Sequence, residues 1–159
     1  MISSFFKRHI SIRNARPDDC DFIVKLIGQL SQIVLDTKKI PTTIGIREAY
    51  ADMLKDPKHY PIFIAEEKDK KTNQMVKLGT AITSTQIMLF LGGPYLYLQE
   101  LIVDEAGRGK GVGSALVKHL VKYSKEQGFD AIELIQPSDS SAFNEERTRF
   151  YTSNDFEIG

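Results

Sequence analysis

The chain has 159 residues, 42% hydrophobic and 26% charged, the size and composition of one ordinary globular domain with a single core. Its 21 basic residues balance 21 acidic ones, so no overall field draws it to nucleic acid or to an anionic membrane, and neither is expected as a partner. The single cysteine, Cys20, excludes an internal disulfide and a thiolate metal cluster, and no metal motif surrounds His9, His59 or His119, so no metal and a reducing, cytoplasmic setting are the default.

The basic residues of Met1 to Arg8 are not followed by the apolar stretch a secretory signal needs, so none is expected, and residues 1–9 are read as a loosely ordered leader. No apolar run approaches the roughly 18 residues of a membrane span. Ile10 and Ile12 alternate with Ser11 and Arg13 as in a first strand. Pro17 fits an early position of a helix whose first turn carries Asp18 and Asp19, and Phe22, Ile23, Leu26, Ile27, Leu30 and Ile33 form its apolar stripe. After a break at Lys38 to Pro41, residues Ile46, Ala49, Tyr50, Met53 and Leu54 follow the spacing of a second amphipathic helix, which Pro57 closes.

Three strands are predicted next, at Ile62 to Glu66, Val76 to Thr83 and Tyr95 to Val103. The charged stretch Glu66 to Lys71 reads as a solvated hairpin tip, a loop with Gly92, Gly93 and Pro94 makes the second link, and such short links favour an antiparallel meander. A helix follows the turn Arg108 to Gly113, with Val112, Leu116, Leu120 and Tyr123 on one stripe and Gly128 as its stop. A strand at Ala131 to Ile135, a last helix from Ser140 or Ser141 to about Ser153 and a strand from Phe156 complete the chain. This order predicts an α/β fold, a mixed and mostly antiparallel sheet with helices on both faces.

The most informative segment is Leu101 to Ser114, LIVDEAGRGKGVGS, where a strand end, a glycine-rich turn and a long helix meet. Gly111 and Gly113 fall in or beside the first helical turn, and a glycine inside a helix costs about 1 kcal/mol relative to alanine. Side chains there would keep an anion from the unpaired N–H groups that open a helix, whereas bare glycines let the backbone cradle phosphate. Arg108 and Lys110 add charge, and charged hydrogen bonds of roughly 1.5 to 3 kcal/mol each supply a sizeable part of the roughly 8 kcal/mol behind micromolar binding. A tight strand-to-helix turn with solvated basic residues is the plainer alternative. Other phosphate motifs fail: Ser114 occupies the last glycine position of GxGxxG counted from Gly109, and no GxxxxGK[ST] can be drawn.

At this turn the chain resembles the GNAT superfamily of N-acetyltransferases, whose signature [RQ]xxGx[GA] lies between the fourth strand and the third helix; Arg108, Gly111 and Gly113 match it. A second segment, Asn144 to Phe156 (NEERTRFYTSNDF), is similar to the family's N…YxxxGF, with Asn144 and Tyr151 in register. The likeness runs from about Ile10 to Phe156 and implies the acyl-CoA N-acyltransferase fold, an αβα sandwich, for a single domain over residues 10–159. Asp155 departs from it, standing where the family has glycine, and the chain stops at Gly159 where relatives continue into a final strand pair. Either the last strands are cut off, or a second copy completes the edge as a homodimer.

The resemblance implies transfer of an acetyl group from acetyl-CoA, without a metal, to a primary amine of a small molecule or protein, by direct attack in a ternary complex. It implies that the fourth strand splays from the fifth and that the backbone of Leu101, Ile102 and Val103 pairs with the pantetheine arm. It further implies that the amides of Arg108, Gly109, Lys110, Gly111, Val112, Gly113 and Ser114 hold the pyrophosphate, and that Asn144 reaches the arm from the last helix. Tyr151 matches the family's general acid; a phenol, with an ordinary pKa of about 10, stays protonated at neutral pH yet can donate to a basic thiolate. The alternative for Tyr151 is a core aromatic beside Phe150.

Glu100 is the candidate base, because it shares strand parity with Leu96, Leu98 and Ile102, a mostly apolar set where burial disfavours its charged form. Pairing with a cation, a bulge that re-aims it, or water in its place are the alternatives. Gln99, on the opposite parity, is a substrate-binding candidate, and Glu133 reads as structural. Ile46, Tyr50 and Met53 belong either to the acceptor pocket or to the core. A noncatalytic acyl-CoA-binding or regulatory module on the same fold is the rival reading, while a nucleotide-phosphate enzyme would need a magnesium-binding acidic pair that is not evident. Which amine is the acceptor is not written in the sequence.

Overall fold

Ile62, Phe63, Ile64 and Ala65 follow one another without a polar break, and all four are buried because their strand is covered on both faces. A computed structural model of the chain describes residues 9–34, 42–135, 149–155 and 157. Its strands are β1 (Ile10–Asn14), β2 (Ile62–Lys68), β3 (Met75–Met88), β4 (Gly93–Val103) and β5 (Ile132–Glu133), and its helices are α1 (Cys20–Val34), α2 (Thr43–Leu54) and α3 (Val112–Gln127). The five strands form one sheet in the order β1-β2-β3-β4-β5, antiparallel up to β4, with β5 parallel to β4.

Alternation along the strands divides the core in two. Ile62, Ile64 and Ile82 face α1 and α2, where Ile23 and Tyr50 meet them. Phe63, Ala65, Ala81, Leu96 and Leu98 face α3, whose Val112, Leu116 and Leu120 are buried against them. The predicted mixed sheet with helices on both faces is therefore the observed one.

Several boundaries differ from the sequence reading. β3 runs on to Met88, because β4 pairs with it as far as Met88 and Gly93. Beyond the end of the β2 ladder, the Thr83 and Thr85 N–H groups donate to the Pro61 and His59 carbonyls at 3.1 and 2.7 Å. β2 takes Glu66–Lys68 from the expected hairpin tip, so the turn begins at Asp69. β5 has only two residues. Pro17–Asp19 form a short 3-10 turn that leads directly into α1. Of the predicted last helix, residues 149–153 are described and helical; the leader up to residue 8 lies outside the described residues, as does the strand predicted from Phe156 apart from Glu157, which is in no strand. Among the described residues, no helix is long and apolar enough to cross a membrane.

A buried polar cluster joins β1 to the start of α1. The Asp19 carboxylate, fully buried, accepts from both terminal nitrogens of Arg13 at 2.8 and 2.9 Å, from Lys77 Nζ at 2.8 Å and from the Arg16 N–H at 2.7 Å. Burial alone would push this carboxyl up, but the Arg13, Lys77 and Arg16 donors together hold it well below the usual carboxylate range. Asp19→Asn should cost about 3 kcal/mol in urea unfolding, the low end of the range for a broken buried pair because Arg13 and Lys77 keep some contact with water. An unfolded aspartate titrates near about 3.9, so the contribution of Asp19 is complete above about pH 4 and is lost as the pH falls further. The acid limb of stability against pH should accordingly be shallower in Asp19→Asn than in the wild type.

Candidate active site

Strand β4 has a full partner on one side and a partial one on the other. β3 pairs with it from Met88 and Gly93 to Gly79 and Val103, whereas β5 pairs only with Leu96 and Tyr97. The β5 contact is fixed by the Leu96 N–H, which donates to the Ala131 carbonyl at 3.0 Å. From Leu98 to Val103 that edge of β4 has no strand beside it among the described residues, so the two strands splay.

The pairing of β4 with β3 also slips by one residue. Ile82 faces Glu100 and Thr83 faces Leu98, which leaves Gln99 as the extra residue of a β-bulge. Leu96 and Leu98 lie on the α3 side, and beyond the bulge Leu101 and Val103 continue that face. Glu100, opposite Ile82, therefore turns to the side of α1 and α2 together with Ile102. The expected parity of Glu100 with Leu96 and Leu98 is corrected by this bulge. Glu100 is half-buried, has no ion pair or hydrogen bond with a described residue, and is pushed above the usual carboxylate range by burial.

Past Val103 the chain is held by Asp104, whose buried carboxylate pairs with Lys25 Nζ at 3.2 Å and accepts from Gln29 Nε2 at 3.2 Å, both on α1. Its N–H donates to the Leu78 carbonyl at 2.8 Å. Burial pushes the Asp104 carboxyl up, but Gln29, Lys25 and the Ala106 N–H bring it below its ordinary value. A 3-10 turn at Glu105–Gly107 then leads to Gly111, the residue before α3, in the left-handed conformation at φ +77° that glycine adopts freely.

The first hydrogen bond of α3 runs from the Ala115 N–H to the Gly111 carbonyl at 3.0 Å. The amides of Gly109, Gly111, Val112, Gly113 and Ser114 donate to no described residue, and the exposed Arg108 side chain has no carboxylate partner among them. These donors, with a helix N-terminus behind them, suit a diphosphate.

The two signature glycines answer to different constraints. A Cβ on Gly111 would meet nothing within 4 Å, so the backbone conformation is what demands glycine there. A Cβ on Gly113 would lie 3.0 Å from Phe150 Cζ, so close packing against the helical segment 149–153 favours a bare backbone there. Asp155, in the family's glycine position, has φ +68° and so keeps the left-handed turn, which aspartate enters more readily than most residues.

A cleft of about 550 Å³ collects most of the predicted site. Leu101, Ile102 and Val103 line it from β4, and Arg108, Gly109, Gly111, Val112, Gly113 and Ser114 line it from the turn and the start of α3. Tyr151 lines it too, its ring edge-on to Phe150 at 5.1 Å and packed against the α3-side core. Lys110 and Glu100 are not among its lining residues, and Asn144 lies outside the described residues.

Gln29, Gly107 and Phe150, which carry no site motif in the sequence, also line the cleft, as does Leu30 of the apolar stripe. The available signals were slight: a polar residue beside Leu30 on the apolar stripe of α1, and a ring next to Tyr151. Tyr50 and Met53 belong to the core rather than to the cleft, the Tyr50 hydroxyl donating to the Arg16 carbonyl at 2.6 Å. Among the described residues, no group of three or more His, Cys, Asp or Glu is placed to hold a metal ion.

The family model described as Acetyltransferase (GNAT) family matches residues 29–156, and the chain belongs to that family. Among solved structures it is similar to a transcriptional regulator from Bacillus halodurans C-125, with a TM-score of 0.75 at 22% identity over 95% of each chain. It is also similar to glucosamine-6-phosphate N-acetyltransferase from Arabidopsis thaliana (TM-score 0.68, 20% identity, 95% of this chain and 93% of that one). A third, described as a predicted acetyltransferase with acetyl-CoA from Clostridium acetobutylicum, has a TM-score of 0.69 at 19% identity over 95% of this chain and 92% of that one. At these identities the likenesses establish the fold, the acyl-CoA N-acyltransferase sandwich.

The contact between Gly113 and Phe150 is open to a double-mutant cycle. Gly113→Ala sets crowding of Phe150 against the ~1 kcal/mol by which a helix favours alanine, so the single change should shift stability by no more than about 2 kcal/mol. Combined with Phe150→Leu, it should cost less than the sum of the two single changes by at least about 0.5 kcal/mol, as read from urea unfolding.

Proposed function

We propose that the chain is an acetyl-CoA-dependent N-acetyltransferase acting on a primary amine, of a small molecule or a protein, by direct attack within a ternary complex. The observation that carries this reading is the coincidence, in one cleft, of an open β4 edge, a run of unpaired amides at the start of α3, and Tyr151. Family membership supports acetyl transfer, and the acetyl-CoA named for the Clostridium acetobutylicum structure supports the cosubstrate.

Acetyl-CoA, when bound, supplies an acyl group activated as a thioester. The backbone of Leu101, Ile102 and Val103 would bind the pantetheine arm as a neighbouring strand would, and the amides of Gly109 and of Gly111 to Ser114, with the Arg108 side chain, would hold the diphosphate. The expected amides of Arg108 and Lys110 are instead spent within the turn, on the Glu105 and Gly107 carbonyls at 3.3 Å. Tyr151 serves as the proton donor to the departing thiolate. Glu100 serves as the base that takes a proton from the incoming ammonium, directly or through water. Its turn towards α1 and α2 separates it from the α3 side, where Leu96 and Leu98 pack, and gives acid and base different approaches to the reacting centre.

Tyr151→Phe should lower turnover roughly tenfold or more while leaving coenzyme A affinity, measured by calorimetry, unchanged. Unaltered turnover removes Tyr151 as the acid. A wild-type protein that binds coenzyme A but acetylates no member of a broad amine panel favours the noncatalytic, regulatory reading, in keeping with the description of the Bacillus halodurans neighbour.

Because burial raises the Glu100 carboxyl, it acts as a base only above a pH higher than the roughly 4.3 of an ordinary glutamate. Activity should fall as the pH drops through that raised value. Glu100→Gln should lose this limb and retain only the ionisation of the amine, and an unchanged pH profile would assign the proton to water alone.

A further inference from the structure

Two features singled out in the sequence stand outside the cleft, Lys110 in the glycine-rich turn and the charged stretch Glu66 to Lys71, and the fold brings them together. β2 ends and β3 begins at the edge of the sheet where β4 ends, since all three are antiparallel neighbours. The tip of the β2–β3 hairpin therefore stands beside the turn before α3, and a cavity of about 1000 Å³ lies between them. Lys68, Lys70 and Lys71 line it from the hairpin, Lys110 from the turn and His9 from the residue before β1.

Its acids are Glu67 and Asp69, and Asp69 is engaged within the hairpin, where Oδ1 accepts the Lys71 N–H at 2.8 Å. Four ammonium groups against two carboxylates leave the cavity positive at neutral pH. Lys68, Lys71 and Lys110 make no ion pair with a described residue. Val76, Leu78 and Ala106 add apolar surface.

The turn itself is the wall between cavity and cleft. Gly107, Arg108, Gly109 and Gly111 line the cleft, while Ala106 and Lys110 line the cavity, and consecutive α-carbons are only about 3.8 Å apart. We infer that this cavity receives the 3′-phosphate of coenzyme A and makes the protein select coenzyme A over its dephosphorylated form. The inference rests on the reading of the cleft proposed above. In coenzyme A one ribose separates the 3′-phosphate from the diphosphate, so a diphosphate held at the start of α3 leaves a second phosphate within reach of the far side of the wall. A phosphate monoester carries a charge of about −1.5 to −2 near neutral pH, the complement of clustered ammonium groups.

Calorimetric titration of the full chain with coenzyme A and with dephospho-coenzyme A tests this. The wild type should prefer coenzyme A by roughly tenfold or more, the equivalent of a single charge-assisted hydrogen bond. The double variant Lys68→Glu/Lys71→Glu, at exposed hairpin positions, should bind both ligands equally, at the wild-type affinity for dephospho-coenzyme A. The same change of net charge at Lys118 and Lys122 on α3 should leave the preference intact. Equal binding of the two ligands by the wild type, or a preference that survives in the hairpin variant, overturns this inference and leaves the cleft reading standing. No binding of either ligand overturns the cleft reading, and this inference with it.

Discussion

The site depends on a strand pairing that stops early. β4 is paired with β3 from end to end apart from the bulge and with β5 over two residues, so among the described residues one edge of a strand in the interior of the sheet has no strand beside it from Leu98 onward. Unpaired backbone groups away from water are costly, and an open sheet edge invites any strand-like partner. Here the open edge forms a wall of the cleft that also holds the glycine-rich turn and Tyr151. An extended molecule with amide groups of its own meets the requirement that β5 leaves unmet.

The turn at the end of this edge is positioned by polar contacts that cross the sheet. Asp104 ties the end of β4 to α1 through Lys25 and Gln29 and to β3 through the Leu78 carbonyl, so helix, strand and turn converge on one buried carboxylate. Asp19 does comparable work at the entry to α1, joining Arg13 of β1 and Lys77 of β3. The cleft therefore sits on elements anchored at two places, and its free donors belong to backbone whose course is set before any ligand arrives. Such preorganisation spares binding the cost of ordering the loop.

Local signals were enough for much of this architecture. The stripe of Val112, Leu116 and Leu120 placed α3, the alternation at Ile10 to Arg13 placed β1, and Arg108, Gly111 and Gly113 marked the turn. What escaped the sequence depends on partners distant along the chain. β3 runs through Ser84 to Met88 because β4 supplies the other half of a ladder there. Gln29 reaches Asp104 from 75 residues away, and Gly113 packs closely under the ring of Phe150. The bulge at Gln99 has no glycine to announce it, so simple alternation put Glu100 on the wrong face. Asp155 shows the reverse, a residue that departs from the family pattern while its backbone keeps the conformation the pattern requires.

The bulge makes the orientation of Glu100 a matter of counting rather than of chemistry. Removing Gln99 would restore unbroken alternation and leave Glu100 on the side of α1 and α2, whereas closing the bulge at constant length would swing its carboxylate under α3. A lineage can thus lose the bulge by a length change alone and keep the carboxylate on the same side. An alignment that sets the matching gap after Glu100 instead of at Gln99 would pair this glutamate with a residue on the opposite face of the sheet.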